Sequence, residues 1–136
     1  MSENSPQRTS PEAKLMQAET LAKSVNAWDG TPYHHYPAGQ PEITVLRLSI
    51  RANTTLPWHS HPMPSVTHVL SGSITLEHRA TGKKKTIHAG DTLTEWMDDE
   101  HRGFTGDEDC VVFNFYAGAK DLPLSIPAAG EAPEMP

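Results

Sequence analysis

From Glu42 to Tyr116 the chain alternates the polarity of its side chains with a period of two and meets a turn signal about every eight to twelve residues. Thr44, Leu46, Leu48 and Ile50 alternate with Val45, Arg47, Ser49 and Arg51, as a half-buried strand requires. Further strands are predicted at 57–63, 66–78, 85–89, 92–97, 101–105 and 110–116. Ser71-Gly72, Thr81-Gly82, Ala89-Gly90-Asp91 and Gly106-Asp107 stand between them. Short strands at this spacing make an all-β sandwich or barrel.

At 136 residues the chain holds one such domain, predicted over 27–122. Residues 1–26 read as a polar arm. Ser10 and Pro11 there suit a helix start, and Leu15, Ala18, Leu21, Ala22 and Val25 recur at helical steps, so a short amphipathic helix is expected. The stretch from Trp28 to Pro41 is dense in turn formers and reads as a surface loop. Residues 123–136 form a Pro-rich tail expected to follow the barrel briefly and then become mobile.

A formal charge of −6 opposes binding to nucleic acid and to anionic membrane surfaces, so neither is an expected partner. The one cysteine, Cys110, allows no internal disulfide. With no apolar leader and no long apolar run in the sequence, a cytoplasmic protein is expected.

Pro57-Trp58-His59-Ser60-His61-Pro62 carries the most chemical information. Residues two apart on a strand share a face, so His59 and His61 can converge on one metal ion at about 2.0–2.1 Å with little loop-closure cost. The bland alternative is two polar residues facing water. With the same parity, Met63, Ser65 and Thr67 are expected to line the pocket beside them.

The surroundings of these histidines resemble the first motif of the cupin family: Gly, five residues, His-x-His, three or four residues, Glu, six residues, Gly. His59, His61 and Gly72 fit it. The second cupin motif runs from a glycine through a proline and a second glycine to a histidine, and Gly90 stands eleven residues before His101 as that spacing requires. The resemblance spans roughly Glu42 to Tyr116. It implies a jelly-roll (double-stranded β-helix) barrel, with His101 joining His59 and His61 around one divalent metal ion, Fe, Ni, Mn or Zn.

The departures are informative. Asn53 stands at the opening glycine, and it tolerates positive φ better than most residues. Ser65 stands where the family has its glutamate ligand, while Trp96 and Asp98 replace the proline and glycine of the second motif. Glu95 shares a face with Leu93 and would point into the barrel, where an unpaired carboxylate is costly. Glu95 is therefore a candidate metal ligand, or a catalytic base beside the metal. The alternative is a twisted or bulged strand that leaves it in solvent.

His68 has the opposite parity and is expected on an outer face, against a partner subunit. His78, His88 and Lys83 to Lys85 are expected in solvent, and His34 and His35 lie in the Pro-rich loop. The resemblance implies a small-molecule substrate and a homodimer. It is compatible with a dioxygenase, the leading expectation, with a metal-dependent isomerase, lyase or decarboxylase, and with a binding barrel that has lost catalysis along with the glutamate at position 65.

Overall fold

The computed structural model describes residues 15–134. Nine strands occur in it: β1 (Pro41–Ile50), β2 (His59–Ser60), β3 (Ser65–Ser71), β4 (Ser73–His78), β5 (Lys84–His88), β6 (Thr92–Thr94), β7 (His101–Phe104), β8 (Cys110–Ala119) and β9 (Ile126–Pro127). They form two antiparallel sheets, β1-β8-β3-β6 and β5-β4-β7-β2-β9. This is the jelly-roll barrel, all-β as the alternation predicts.

The sheets are built by the local pattern. Thr44, Leu46, Leu48 and Ile50 turn inward along β1, and β8 pairs with β1 over its full length. Val69 of β3, Ile74 and Leu76 of β4, Ile87, Leu93 and Val112 fill the space between the sheets with Trp96 and Cys110. Trp96 is fully buried and touches the rings of Trp28, His78 and His101 at centroid distances of 5.2, 4.9 and 5.2 Å.

Two turns require particular backbones. Gly72, between β3 and β4, has φ +74° and lies against the Asp109 carbonyl, where a Cβ has no room. Asn53 and Asp98 hold left-handed conformations, φ 54° and 71°, so both replace a family glycine without losing the turn.

The expected N-terminal helix does not extend through residues 16–26. Leu15, Met16, Leu21 and Val25 are exposed there, and without a surface to cover its apolar face a helix this short gains too little to form. Its expected start at Ser10 and Pro11 lies outside the described residues. Beyond it, the Trp28 amide donates to the Thr94 carbonyl, and the Thr94 hydroxyl donates to Asn26, covering the free edge of β6. The Tyr33 hydroxyl donates to the backbone carbonyl of Glu95, fixing the residue that follows this strand.

The tail is more ordered than its composition suggests. β9 pairs with β2, and the Ala128 amide donates to the Trp58 carbonyl at 3.0 Å. The Trp58 amide in turn donates to Glu131 Oε1 at 3.0 Å. Leu122, Leu124 and Ile126 alternate before Ala128, and this period of two was the strand signal within the Pro-rich stretch.

Candidate metal centre

His59 on β2 lies directly opposite His101 on β7, and His61 follows two residues after His59. Pairing of these two strands thus brings the histidines together from positions forty residues apart. Their ligand atoms lie within 4.8 Å of one another, and all three side chains are buried.

The orientation of each ring is fixed from behind. Nδ1 of His59 donates to the Pro57 carbonyl, Nδ1 of His61 to Leu124, and Nδ1 of His101 to Asp99, each at 2.8 Å. A ring that donates through Nδ1 presents a lone pair on Nε2, the form a metal requires, and such carbonyl partners are the usual outer support of ligating histidines. His101 Nε2 is buried without a hydrogen-bond partner. A buried, unsatisfied nitrogen facing two other imidazoles is costly unless a cation satisfies it, so this donor set fits a divalent metal ion.

Glu95 faces the same point. The Glu95 amide donates to the Ser65 carbonyl, continuing the β3–β6 ladder one residue beyond β6. No bulge turns the side chain outward, and it is buried on the face it shares with Leu93. Its Oε1 lies 3.2 Å from His101 Nε2 and 3.8 Å from His61 Nε2. The first contact is close enough for charge pairing but is not aligned as a hydrogen bond.

Oε2 of Glu95 accepts a hydrogen bond from the Thr67 hydroxyl. That hydroxyl is also 2.9 Å from Asn114 Oδ1, whose Nδ2 lies 3.0 Å from the Tyr116 oxygen. One hydroxyl carries one proton, so with it on Glu95 the Asn114 amide is satisfied when turned over. Its NH₂ then donates to Thr67 and its oxygen accepts from Tyr116. The result is a directed chain, Tyr116 to Asn114 to Thr67 to Glu95.

The electrostatics follow from burial and from this pairing. Burial disfavours the Glu95 carboxylate, yet His101, His61 and the Thr67 hydroxyl outweigh it and bring the pKa down to about 2. The converse holds at His101. Burial pushes it down, but the Glu95 charge wins and its pKa is raised. His59 is lowered to about 3 by burial and then by the other two imidazoles. His61 is lowered chiefly by burial.

A second carboxylate is present that sequence reasoning missed. Glu134 Oε2 lies 3.1 Å from His59 Nε2, and Glu134 Oε1 accepts from the Ser125 hydroxyl at 3.4 Å. Burial, then the Glu95 charge, raises its pKa to about 7. Between these groups lies a cavity of about 30 Å³, lined by His59, His61, His101, Glu95, Thr67, Asn114 and Glu134. Leu48, Ile50, Leu56, Ile74, Leu76 and Val112 complete its lining.

Other expected positions fall differently. Thr67 lines the cavity, but Met63 and Ser65 do not. Pro62 and Pro64 end β2, and the chain crosses to the other sheet before β3 begins, so parity counted from His61 does not carry to Met63. Met63 is buried with its methyl group over Gly118. Ser65 shares the inward face of Thr67 but sits beyond the cavity, its Oγ buried without a partner.

His78 is buried rather than solvated: it continues the inward face of Ile74 and Leu76, with Nε2 2.9 Å from Asp99 Oδ2. His68 faces outward, half-buried, against the Thr92 hydroxyl. His34, His35 and His88 are exposed.

The family described as "Cupin domain" matches residues 46–116. No curated protein matches the chain. Among solved structures it is similar to a cupin-like protein from Thermotoga maritima (TM-score 0.56, 18% identity, 63% of this chain and 64% of that one). It is similar to the polyketide cyclase RemF from Streptomyces resistomycificus (TM-score 0.55, 18% identity, 66% and 62%). A third neighbour is the DMSP lyase DddQ from Ruegeria pomeroyi (TM-score 0.55, 16% identity, 76% and 49%). The chain therefore spans about half to two thirds of these proteins' length, and at such identities the likeness is one of fold. None of the described helical segments is long and apolar enough to cross a membrane. With the family match covering just over half the chain and both sheets of the barrel in place, the protein belongs to the cupin family.

Proposed function

We propose that this cupin is a metal-dependent enzyme acting on a small organic molecule, with His59, His61, His101 and Glu95 as the ligands of one divalent ion. The observation that carries the reading is the cluster of three imidazoles already held in the metal-binding tautomer, with the buried Glu95 carboxylate against two of them, His101 and His61. Glu95, from the end of β6, stands in for the carboxylate that Ser65 of β3 lacks. An ion held there supplies a Lewis acid that polarises a carbonyl or carboxylate oxygen and leaves positions open for substrate.

The chain's own residues favour proton-transfer chemistry, of the isomerase, lyase or cyclase kind. Thr67, Asn114 and Tyr116 hold the Glu95 carboxylate in a hydrogen-bond network, and the apolar side chains of the cavity limit water at the reacting centre. Two of the structural neighbours are named as a cyclase and a lyase. The same apolar side chains favour a second reading, a dioxygenase, because they offer a dry face beside the centre for oxygen. Anaerobic turnover of a carbonyl or carboxylate substrate supports the first reading; oxygen uptake by Fe(II)-loaded protein above a His59→Ala control supports the second. A homodimer built on the outward face of β1 and β8, where Ile43, Val45 and Phe115 are exposed, belongs to the same proposal.

Glu95→Gln keeps the shape and the Thr67 contact but removes the charge. Metal affinity is expected to fall by at least about tenfold, read by competition with a chelating dye. An unchanged affinity removes Glu95 from the ligand set.

A further inference from the structure

The cavity at the candidate centre is too small for any organic substrate. About 30 Å³ accommodates roughly two water molecules, so substrate entry requires part of the wall to leave. One stretch of the wall is attached differently from the rest. His59, His61, His101 and Glu95 are on or directly beside paired strands, whereas Glu134 reaches the site from the tail. Ala128 is buried and its amide is bound to Trp58, so the tail is anchored up to that point. Gly130, two residues on, has φ +82° with open space where a side chain would stand, in a turn closed by the Glu131 amide donating to the Ala128 carbonyl at 3.0 Å. Beyond Gly130 the contacts are few: the Glu131 amide on the Ala128 carbonyl, Glu131 Oε1 on the Trp58 amide, and Glu134 on His59 and Ser125.

The charges define what replaces Glu134. A divalent ion with Glu95 as its one anionic ligand carries a net +1 inside an apolar barrel, and the Glu134 carboxylate offsets it. A ligand that enters that position offsets the charge in the same way when it presents a carboxylate there. We propose that residues 129–134 are a lid hinged at Gly130, and that the Glu134 carboxylate holds the place of a carboxylate on the substrate. This rests on the metal-centre reading and deepens it, since it makes the substrate a small carboxylic acid that displaces the chain's own carboxylate.

The test uses the full-length chain loaded with cobalt(II), whose absorption spectrum reports ligand exchange, titrated with malonate and with neutral malonamide. If the lid is open in a tenth of molecules or fewer, removing its anchor raises apparent affinity by about tenfold or more. Glu134→Gln is therefore expected to keep stoichiometric cobalt, to bind malonate at least about tenfold more tightly than the parent, and to leave malonamide binding weak in both. A chain ending at Ala129 is expected to behave likewise. In the parent, malonate is expected to accelerate hydrogen exchange at the Trp58 amide, which loses its Glu131 acceptor when the lid opens. Cobalt retained with equal malonate affinity in parent and variant overturns the lid, and so does tighter malonamide binding matching that of malonate. Cobalt lost in Glu134→Gln but held by the parent makes Glu134 a permanent ligand and overturns the lid as well. A parent chain that takes up no cobalt overturns the metal-centre reading and this inference with it.

Discussion

Trp96→Ala is expected to cost about 3–5 kcal/mol of stability, the range for deleting a fully buried large aromatic side chain. Trp96 has no exposed surface and supports three rings at once, those of Trp28, His78 and His101. The void left by its indole has no mobile neighbour to collapse into it. β6 is held in place by β3 and by the Trp28 amide, and β7 by β4 and β2. Against a total stability of about 5–15 kcal/mol, the loss places the variant near the edge of folding. A lowered urea midpoint with an unchanged slope would carry this result. A change below about 1 kcal/mol would mean that the barrel repacks here and that His101 does not depend on the indole for its position.

His59→Ala/His61→Ala is expected to remove the thermal stabilisation that metal gives the parent chain. A ligand present at about a hundred times its dissociation constant adds about 2.7 kcal/mol to a protein that binds it only when folded. The parent's melting temperature therefore rises with added zinc, manganese, nickel or anaerobic Fe(II), and that of the double variant stays flat. Without metal, the double variant loses little by comparison, since the two imidazoles face a cavity rather than fill a core, and their Nδ1 bonds to Pro57 and Leu124 are the main local loss. Equal metal-induced shifts in the two chains would place the binding site elsewhere in the molecule.

These expectations rest on features that differ in how far the sequence reveals them. The alternation in β1, the His59–His61 pair and the inward parity of Glu95 are local patterns within one strand, where a period of two fixes the face of each residue. His101 needed the family spacing, because its pairing with His59 is between strands and no local pattern records it. Met63 was misplaced where the chain changes sheets at Pro62 and Pro64, so a face counted on one strand does not carry to the next. His78, expected in solvent beside the hairpin lysines, is buried because it continues the inward face of Ile74 and Leu76 on β4.

Glu134 was not legible at all. Its contact with His59 joins residues 75 positions apart in the chain, and a glutamate among prolines and alanines carries no period. The clue lay upstream, in the alternation of Leu122, Leu124 and Ile126, which ends in the two-residue strand β9 paired with β2. Resemblance supplied the barrel topology and three candidate ligands; side-chain chemistry at Ser65 and Glu95 supplied the difference from the family.

The most direct test of the central claim is the metal content of untagged protein purified without chelators, measured by elemental mass spectrometry. The arrangement of His59, His61, His101 and Glu95 predicts close to one divalent ion per chain. Protein that contains no such ion, and takes up none of iron, manganese, nickel or zinc when each is offered, would contradict it and leave the barrel a metal-free binding pocket.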